Sequence, residues 1–326
     1  MWSFIVRKLI YNIPVYLGIV LLMMLALRVR DPVYSYLGKN ASQEQIDRLS
    51  ENMGLSDPFI VQYVKYMGRV VTLDFSEESW FQQGTPVGEI LTRSIPPSLS
   101  ITVPTLGLSA FCGVCIALVS SYFRGRAIDR SLMVLAVVGM SVSYLVYIIF
   151  GQFFGAFLPR QQVGPENWPF AIEGYEPWLF GEGASPMNWV TYCMLPVLIG
   201  LVVAVGYDTR FYRAVMVEES TKDYITTAMA KGAGKRKIIF VHMLKNAMIP
   251  IITRIMATLP FLITGAVLVE YYFRIPGMGF QLIFAIQNND FPVIQALVVV
   301  LAAIFILTVI LTDVLYALVD PRVRLS

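Results

Sequence analysis

The chain has 326 residues, 56% of them hydrophobic and only 14% charged, a balance found in integral membrane proteins rather than soluble ones. A net charge of +3 is too small to point to nucleic acid, and one histidine with three cysteines gives little material for a metal site made by this chain alone. No resident cofactor, metal or nucleic-acid partner is therefore expected.

A helix needs about 20 apolar residues to cross the hydrocarbon core, and six uncharged runs are candidates. The first, 9–27, follows Arg7 and Lys8. It reads as a retained span rather than a cleaved signal, because the apolar block is too long and no small-residue cleavage pattern follows it. Residues 28–98 form a mixed-charge excursion. In it Ser42 and Gln45 make a capping box and Gly54 closes the helix they open. Asp57-Pro58 starts a second helix, whose Ile60, Val64, Met67 and Val71 fall on one stripe expected to dock on the membrane domain.

The second and third runs, 99–122 and 132–158, are separated by the basic loop FRGRAIDR. Cys112-Gly-Val-Cys115 has the spacing of a redox motif but lies in an uncharged run, where small residues packing against a neighbouring helix are the expectation. The loop 160–186 then sets Glu166, Glu173, Glu176 and Glu182 against one arginine. It reads either as a solvated loop or as a contact surface for an outer partner.

The fourth run is 187–207. After it come cytoplasmic residues 208–246, too few for a domain and too many for a turn. Ser220 or Thr221 can cap a helix whose Tyr224, Ile225, Ala228 and Met229 offer a small apolar face, and Gly232-Ala233-Gly234 permits a sharp bend. From Lys235 the chain turns helical again. The tip of this segment is expected to meet a partner; a basic helix resting on anionic lipid is the equally open alternative. The fifth run, 247–269, contains Arg254, expected to snorkel to the interface, and the sixth is 291–312, extending past Asp313.

Short loops rich in lysine and arginine stay in the cytoplasm. One side carries Arg7 and Lys8, Arg124, Arg126 and Arg130, the cluster from Arg210 to Lys245, and Arg322 and Arg324; the short loops opposite carry Arg160 and Arg274. Both termini and residues 208–246 are therefore placed in the cytoplasm.

The stretch GAGKR imitates the end of a phosphate-binding loop but fails the pattern. Met229 stands where the first glycine is needed, and Arg236 where a hydroxyl would hold magnesium. No other catalytic motif is present, so no enzymatic activity is expected of this chain. Arg254, Glu270 and Asp313 sit toward span ends, leaving no obvious mid-membrane ion site. A driving force for transport would have to come from another subunit.

The segment DYITTAMAKGAGKRKIIFVHMLKNAMIP resembles the cytoplasmic loop of ABC-transporter permeases of the dipeptide/oligopeptide importer family. LSDPFIVQYVKYM, LDFSEES, VEYYFRIPGMG, NDFPVIQA and TDVLYALVDPRVR extend that resemblance over nearly the whole chain. The long first outer region is similar to the B-type subunit of that family. The resemblance implies an all-α, six-span permease of type I importer architecture in a bacterial inner membrane, with 28–98 and 208–246 as parts of one domain. It also implies a C-type permease partner, two ATPase subunits or domains that carry ATP and magnesium, and an outer substrate-binding protein.

In the family a coupling helix docks in a groove of the ATPase; the matching positions here are Tyr224, Thr226, Thr227, Ala228, Lys231 and Gly232, with Lys231 and Lys235 at the rim. Thr226 replaces the usual leading charge. Arg30 stands before Asp31-Pro32 where glycine is usual, and Ser143-Tyr144 where a proline is common. Relatives of the family carry peptides, nickel chelates, glutathione or oligosaccharides. A membrane scaffold that grips lipid or a signalling protein through the basic loop is the rival outside transport.

Overall fold

Within lipid every backbone N–H and C=O must find a partner inside the protein, and long apolar runs meet that demand as helices. The computed structural model describes residues 2–28, 57–179, 183–263 and 267–319, with positions 42, 44 and 50. In chain order, α1 is Trp2–Leu27, α2 Phe59–Thr72, α3 Val87–Tyr122 and α4 Ala127–Ser141. α5 is Tyr144–Val163 and α6 Pro186–Glu219, each containing one π-helical turn. α7 is Asp223–Ala230. α8 starts at Lys235–Lys237, passes through a π turn at Ile238–Met243 and continues as Leu244–Ile263. α9 is Val267–Tyr272, α10 Met278–Gln287 and α11 Phe291–Val319.

Among the described residues five helices are long and apolar enough to cross a membrane, and α4 with α5 makes a sixth if the bent pair counts as one span. The six expected runs are thus recovered, with corrections. The third is not straight: α4 and α5 meet at 91°. Val142 and Ser143 are extended at the break, and the Ser143 carbonyl accepts from the amides of Val146 and Tyr147 to start a new helix without a proline. The two halves pack on different stretches of α6. α4 approaches so closely that a Cβ on Gly206 would lie 2.7 Å from the Ala136 carbonyl oxygen, while Ile148 of α5 is buried with Leu195 and Ile199.

α3 begins at Val87 rather than at 99, because Val87, Ile90 and Leu91 are buried against α10 and α11. α6 runs through Tyr207 to Glu219. The fifth run divides into α8 and α9, with 264–266 outside the described residues.

α2 docks on the membrane helices as expected, but by a different face. Tyr66 and Val70 are buried with Val20, Met23 and Met24 of α1 and Val299 of α11, and the Tyr63 hydroxyl donates to the Leu17 carbonyl. Of the expected stripe, Ile60, Val64 and Val71 are exposed and only Met67 packs against this cluster. Aromatic side chains supply the larger buried area, which decides the face. Gln45, Gly54, Asp31-Pro32, Glu182, Arg322 and Arg324 lie outside the described residues, and the first capping box with them.

Candidate functional site

α6 carries the chain from the bundle into the segment that holds α7, and a carboxylate clamps it there. Asp129, at the start of α4, accepts from Nε and a terminal guanidinium nitrogen of Arg213, both at 2.8 Å, from the Ser120 hydroxyl at 2.5 Å and from the Gly125 amide at 2.9 Å. Bidentate pairing in a buried setting fixes orientation as well as distance. The basic loop 123–126, read from sequence only as a topology signal, is therefore also the hinge plate joining α3, α4 and α6.

α6 then ends in a turn. The Ser220 hydroxyl donates to the Val217 carbonyl and that of Thr221 to the Glu218 carbonyl. These two residues close α6 instead of capping α7, a correction to the expected role. The capping position is Lys222, with extended backbone and no side-chain hydrogen bond to the helix amides. The Tyr224 hydroxyl donates to Glu219 at 2.6 Å. Burial, and then this carboxylate, push it up from its ordinary value, so it stays a donor.

One side of α7 lies on an apolar bed. Ile225 is buried on it with Tyr212 and Met216 of α6 and Ile239 and Met243 of α8, and Ala228 is buried on the same helix. Ala228, named with the docking residues, is 9% exposed and lines the groove beside α7 together with Thr227 and Lys231. Met229, named on the apolar face that the helix offers, is 53% exposed. The residues turned to solvent are Thr226, Thr227, Met229 and Lys231. A groove of about 420 Å³ beside α7 is lined by Tyr224, Thr227, Lys231 and Gly232 among others.

The bend after α7 is a hydrogen-bonded stop. The Gly232 amide donates to the Met229 carbonyl at 2.9 Å and the Ala233 amide to the Ala228 carbonyl at 3.0 Å, with Gly232 left-handed at φ 80°. That pairing is the glycine-terminated helix end in which a Cβ would be strained. Lys235 does not stand free at the rim: its ammonium lies 4.6 Å from the centre of the Tyr122 ring.

Sequence reasoning placed Glu270 at a span end and gave Asp290 no part, yet both are buried joints at the other end of α3. Glu270 is fully buried and accepts from the Ser98 hydroxyl at 2.7 Å and from the Gly279 and Phe280 amides at 2.8 and 3.1 Å. It thereby supplies an acceptor to the first free amides of α10. Gly277 is required beside it, because a Cβ there would collide with the Glu270 carboxylate and the Ser98 hydroxyl. Asp290 accepts from the Ser79 hydroxyl and the Trp80 amide, pinning loop 73–86 to the α10–α11 turn. The available signal was an acidic residue followed by IPGMG, a turn that exposes backbone N–H groups.

Glu166, Glu173 and Glu176 are exposed on loop 164–179, and Glu173 pairs with Arg274 at 3.2 Å. Cys112, Cys115 and Cys193 are free thiols. Among the described residues no three His, Cys, Asp or Glu side chains are gathered as a metal would need. The geometry offers a docking plate at one end of α3 and a stapled wall at the other.

The model of the binding-protein-dependent transport system inner membrane component matches residues 112–325, and that of the N-terminal part of such components matches residues 1–102. A probable peptide ABC transporter permease protein, y4tP, of Sinorhizobium fredii is 32% identical over 99% of this chain and 100% of its own length. A putative peptide transport system permease protein of Brucella abortus is 30% identical over 99% of each chain. The oligopeptide transport system permease protein AppB of Bacillus subtilis is 28% identical over 99% of this chain and 100% of its own.

Proposed function

The chain belongs to the family of binding-protein-dependent transport system inner membrane components, and from that premise we propose that it is one permease half of an ATP-driven importer of peptides. It pairs with a second permease, receives cargo from a substrate-binding protein on the outer face, and is driven by two ATPase subunits or domains that hold ATP and magnesium. Both termini and the α7 segment with its Gly232 bend face the cytoplasm, as the basic short loops favour, and 28–98 is an outer part of the same domain. Relatives along the full length that are named for peptides support the cargo class.

The observation that carries the coupling role is the seating of α7. Ile225, with Tyr224 packed beside it, fixes it to α6 and α8, while Thr226, Thr227 and Lys231 are left exposed around the Gly232 bend. A push on that exposed face reaches both long helices without passing through a flexible loop. ATP binding closes the ATPases, α7 follows, and α6 and α8 are redirected. The side chains that meet the ATPase are Tyr224, Thr226, Thr227 and Lys231, with Ala228 and Gly232 as the seat and the bend behind them. Glu166, Glu173 and Glu176 are offered on the outer face to the binding protein.

Cross-linking from single cysteines, in a background without the native thiols, tests both contacts. In the complex co-expressed with its neighbouring importer genes, position 226 is expected to cross-link to the ATPase and position 173 to the binding protein. An impermeant reagent on intact cells should label position 173 and not 235. Labelling of 235 from outside, or cross-linking of 226 to lipid alone, rejects the reading.

A further inference from the structure

Inside the bundle, α6 and α8 carry a second charged pair that the docking plate does not use. Asp208 of α6 is 8% exposed, and its carboxylate lies 3.9 Å from Nε of Arg254 on α8. That distance is an ion pair but exceeds hydrogen-bond reach. Arg254 Nε is enclosed and finds no hydrogen-bond partner among the described residues, yet the side chain as a whole is 39% exposed. The guanidinium stands 5.7 Å from the centre of the Phe211 ring. The arginine thus turns toward α6 rather than simply reaching for the interface.

Asp208 is held rigidly. α6 lies so close to α3 that a Cβ on Gly113 would sit 2.9 Å from Tyr212 and 3.1 Å from the Asp208 Cβ. Along α8 the inward stripe Met243, Ala247 and Ile251 is buried, at 2%, 0% and 0% exposed. One turn further, at Arg254, the cover stops. Lys235–Thr258 is also the least apolar of the candidate spans, with mean hydropathy 1.4 against 2.0 to 3.0 for the others. An arginine inside such a span faces water or protein rather than acyl chains.

We propose that Arg254 is a subsite on the translocation path for the terminal carboxylate of a peptide, with Asp208 as the positioning residue that aims it. The inference rests on the peptide-importer reading above. A planar guanidinium presents a fork of donors that matches a carboxylate two-to-two. Asp208 fixes the arm from one side through charge, and because Nε is enclosed while the side chain is 39% exposed, the terminal guanidinium nitrogens are what remains for a passing anion. The backbone of a peptide is anionic at its C-terminal end only. The subsite therefore orients cargo and disfavours peptides whose terminus is blocked.

The test uses the complete importer in proteoliposomes and compares uptake of a free-acid peptide with that of its C-terminal amide. Binding of both peptides to the isolated binding protein is measured separately and divided out. Wild type should prefer the free acid, and Arg254→Gln should lose about ten- to a hundredfold of that preference, the range of a charge-assisted hydrogen bond. Asp208→Asn should raise KM for the acid more than it lowers kcat. Arg254→Lys keeps the charge without the fork, so a preference weaker than wild type is expected, and it covers the case in which Arg254→Gln does not assemble. An acid-to-amide ratio unchanged in Arg254→Gln or Arg254→Lys overturns the subsite. Wild type that imports no peptide at all overturns the peptide reading itself, and the subsite with it.

Discussion

α7 and α10 are both short helices joining longer ones, eight and ten residues long, and they rest against opposite ends of α3. Their fastenings differ in kind. α10 has its first amides taken by the buried Glu270, a hydroxyl from Ser98 on the Met278 amide, and Met278 and Ala285 buried. α7 has no side-chain cap and two buried residues, with the rest of its surface in solvent. A helix whose polar groups are all satisfied internally is a wall; one whose outer face is left open is a handle. The same length of helix serves either purpose, and the carboxylate beside it decides which.

If that contrast is right, the largest effect comes from Glu270. Glu270→Leu leaves two backbone amides and the Ser98 hydroxyl without an acceptor in a fully buried place. Each orphaned donor costs about 1–3 kcal/mol, so a loss of the order of 3 kcal/mol or more is expected. Thermal unfolding of the detergent-solubilised complex should show it as a large drop in melting temperature. Glu270→Gln, which keeps one good acceptor, should fall between. A Glu270→Leu protein as stable as wild type would show that α10 is not fastened as a wall.

How much of this was readable beforehand follows the same division. Six apolar runs, the bend at Gly232 and the basic charge shared by alternate short loops follow from hydrophobicity, glycine and charge, all local properties. The stretch from Tyr224 to Gly232 was found through its resemblance to the family's cytoplasmic loop, beside the glycine bend and basic cluster that mark it in the sequence. What escaped was which side of that helix is buried: Ala228 and Thr227 are both small yet differ in exposure, and it is Ile225 that meets the apolar patch made by Met216, Ile239 and Met243. Glu270, Asp290, Asp129 and Asp208 escaped for a related reason. Their donors come from residues distant in sequence or from backbone amides, which carry no signature of their own. The break at Ser143 is likewise set by two packing stretches on α6 and not by a helix-breaking residue.

At the handle, the effect should be intermediate and should fall on coupling rather than on assembly. Gly232 has open space around it, so Gly232→Val meets no clash and suffers only backbone strain at φ 80°, about 1–2 kcal/mol. Gly232→Asn, which tolerates that conformation better, should be milder. Ala228→Trp drives a large ring into the apolar bed and should lift α7 by overpacking, at about 1–3 kcal/mol. ATPase retention and uptake-coupled hydrolysis in the purified complex are the readouts. Gly232→Val is expected to lose coupling while the permease pair stays intact, with Gly232→Asn closer to wild type. Equal behaviour of the two would remove the backbone argument.

The smallest effect belongs to Lys235, and it is the one that separates shape from charge at the handle. Its ammonium sits over the Tyr122 ring, outside α7, and Lys235 is exposed. An exposed contact of that kind contributes about 0.5–1 kcal/mol, and a rim charge in water adds little to docking. Lys235→Gln should therefore retain the ATPase and keep hydrolysis coupled to uptake within about fivefold, the ratio corresponding to 1 kcal/mol. Gly232→Val should do worse although it removes no charge. If the order reverses, so that Lys235→Gln releases the ATPase and Gly232→Val does not, α7 is gripped by electrostatics. In that event the exposed threonines have no part in docking, and α7 differs from α10 in charge rather than in the fit of its surface.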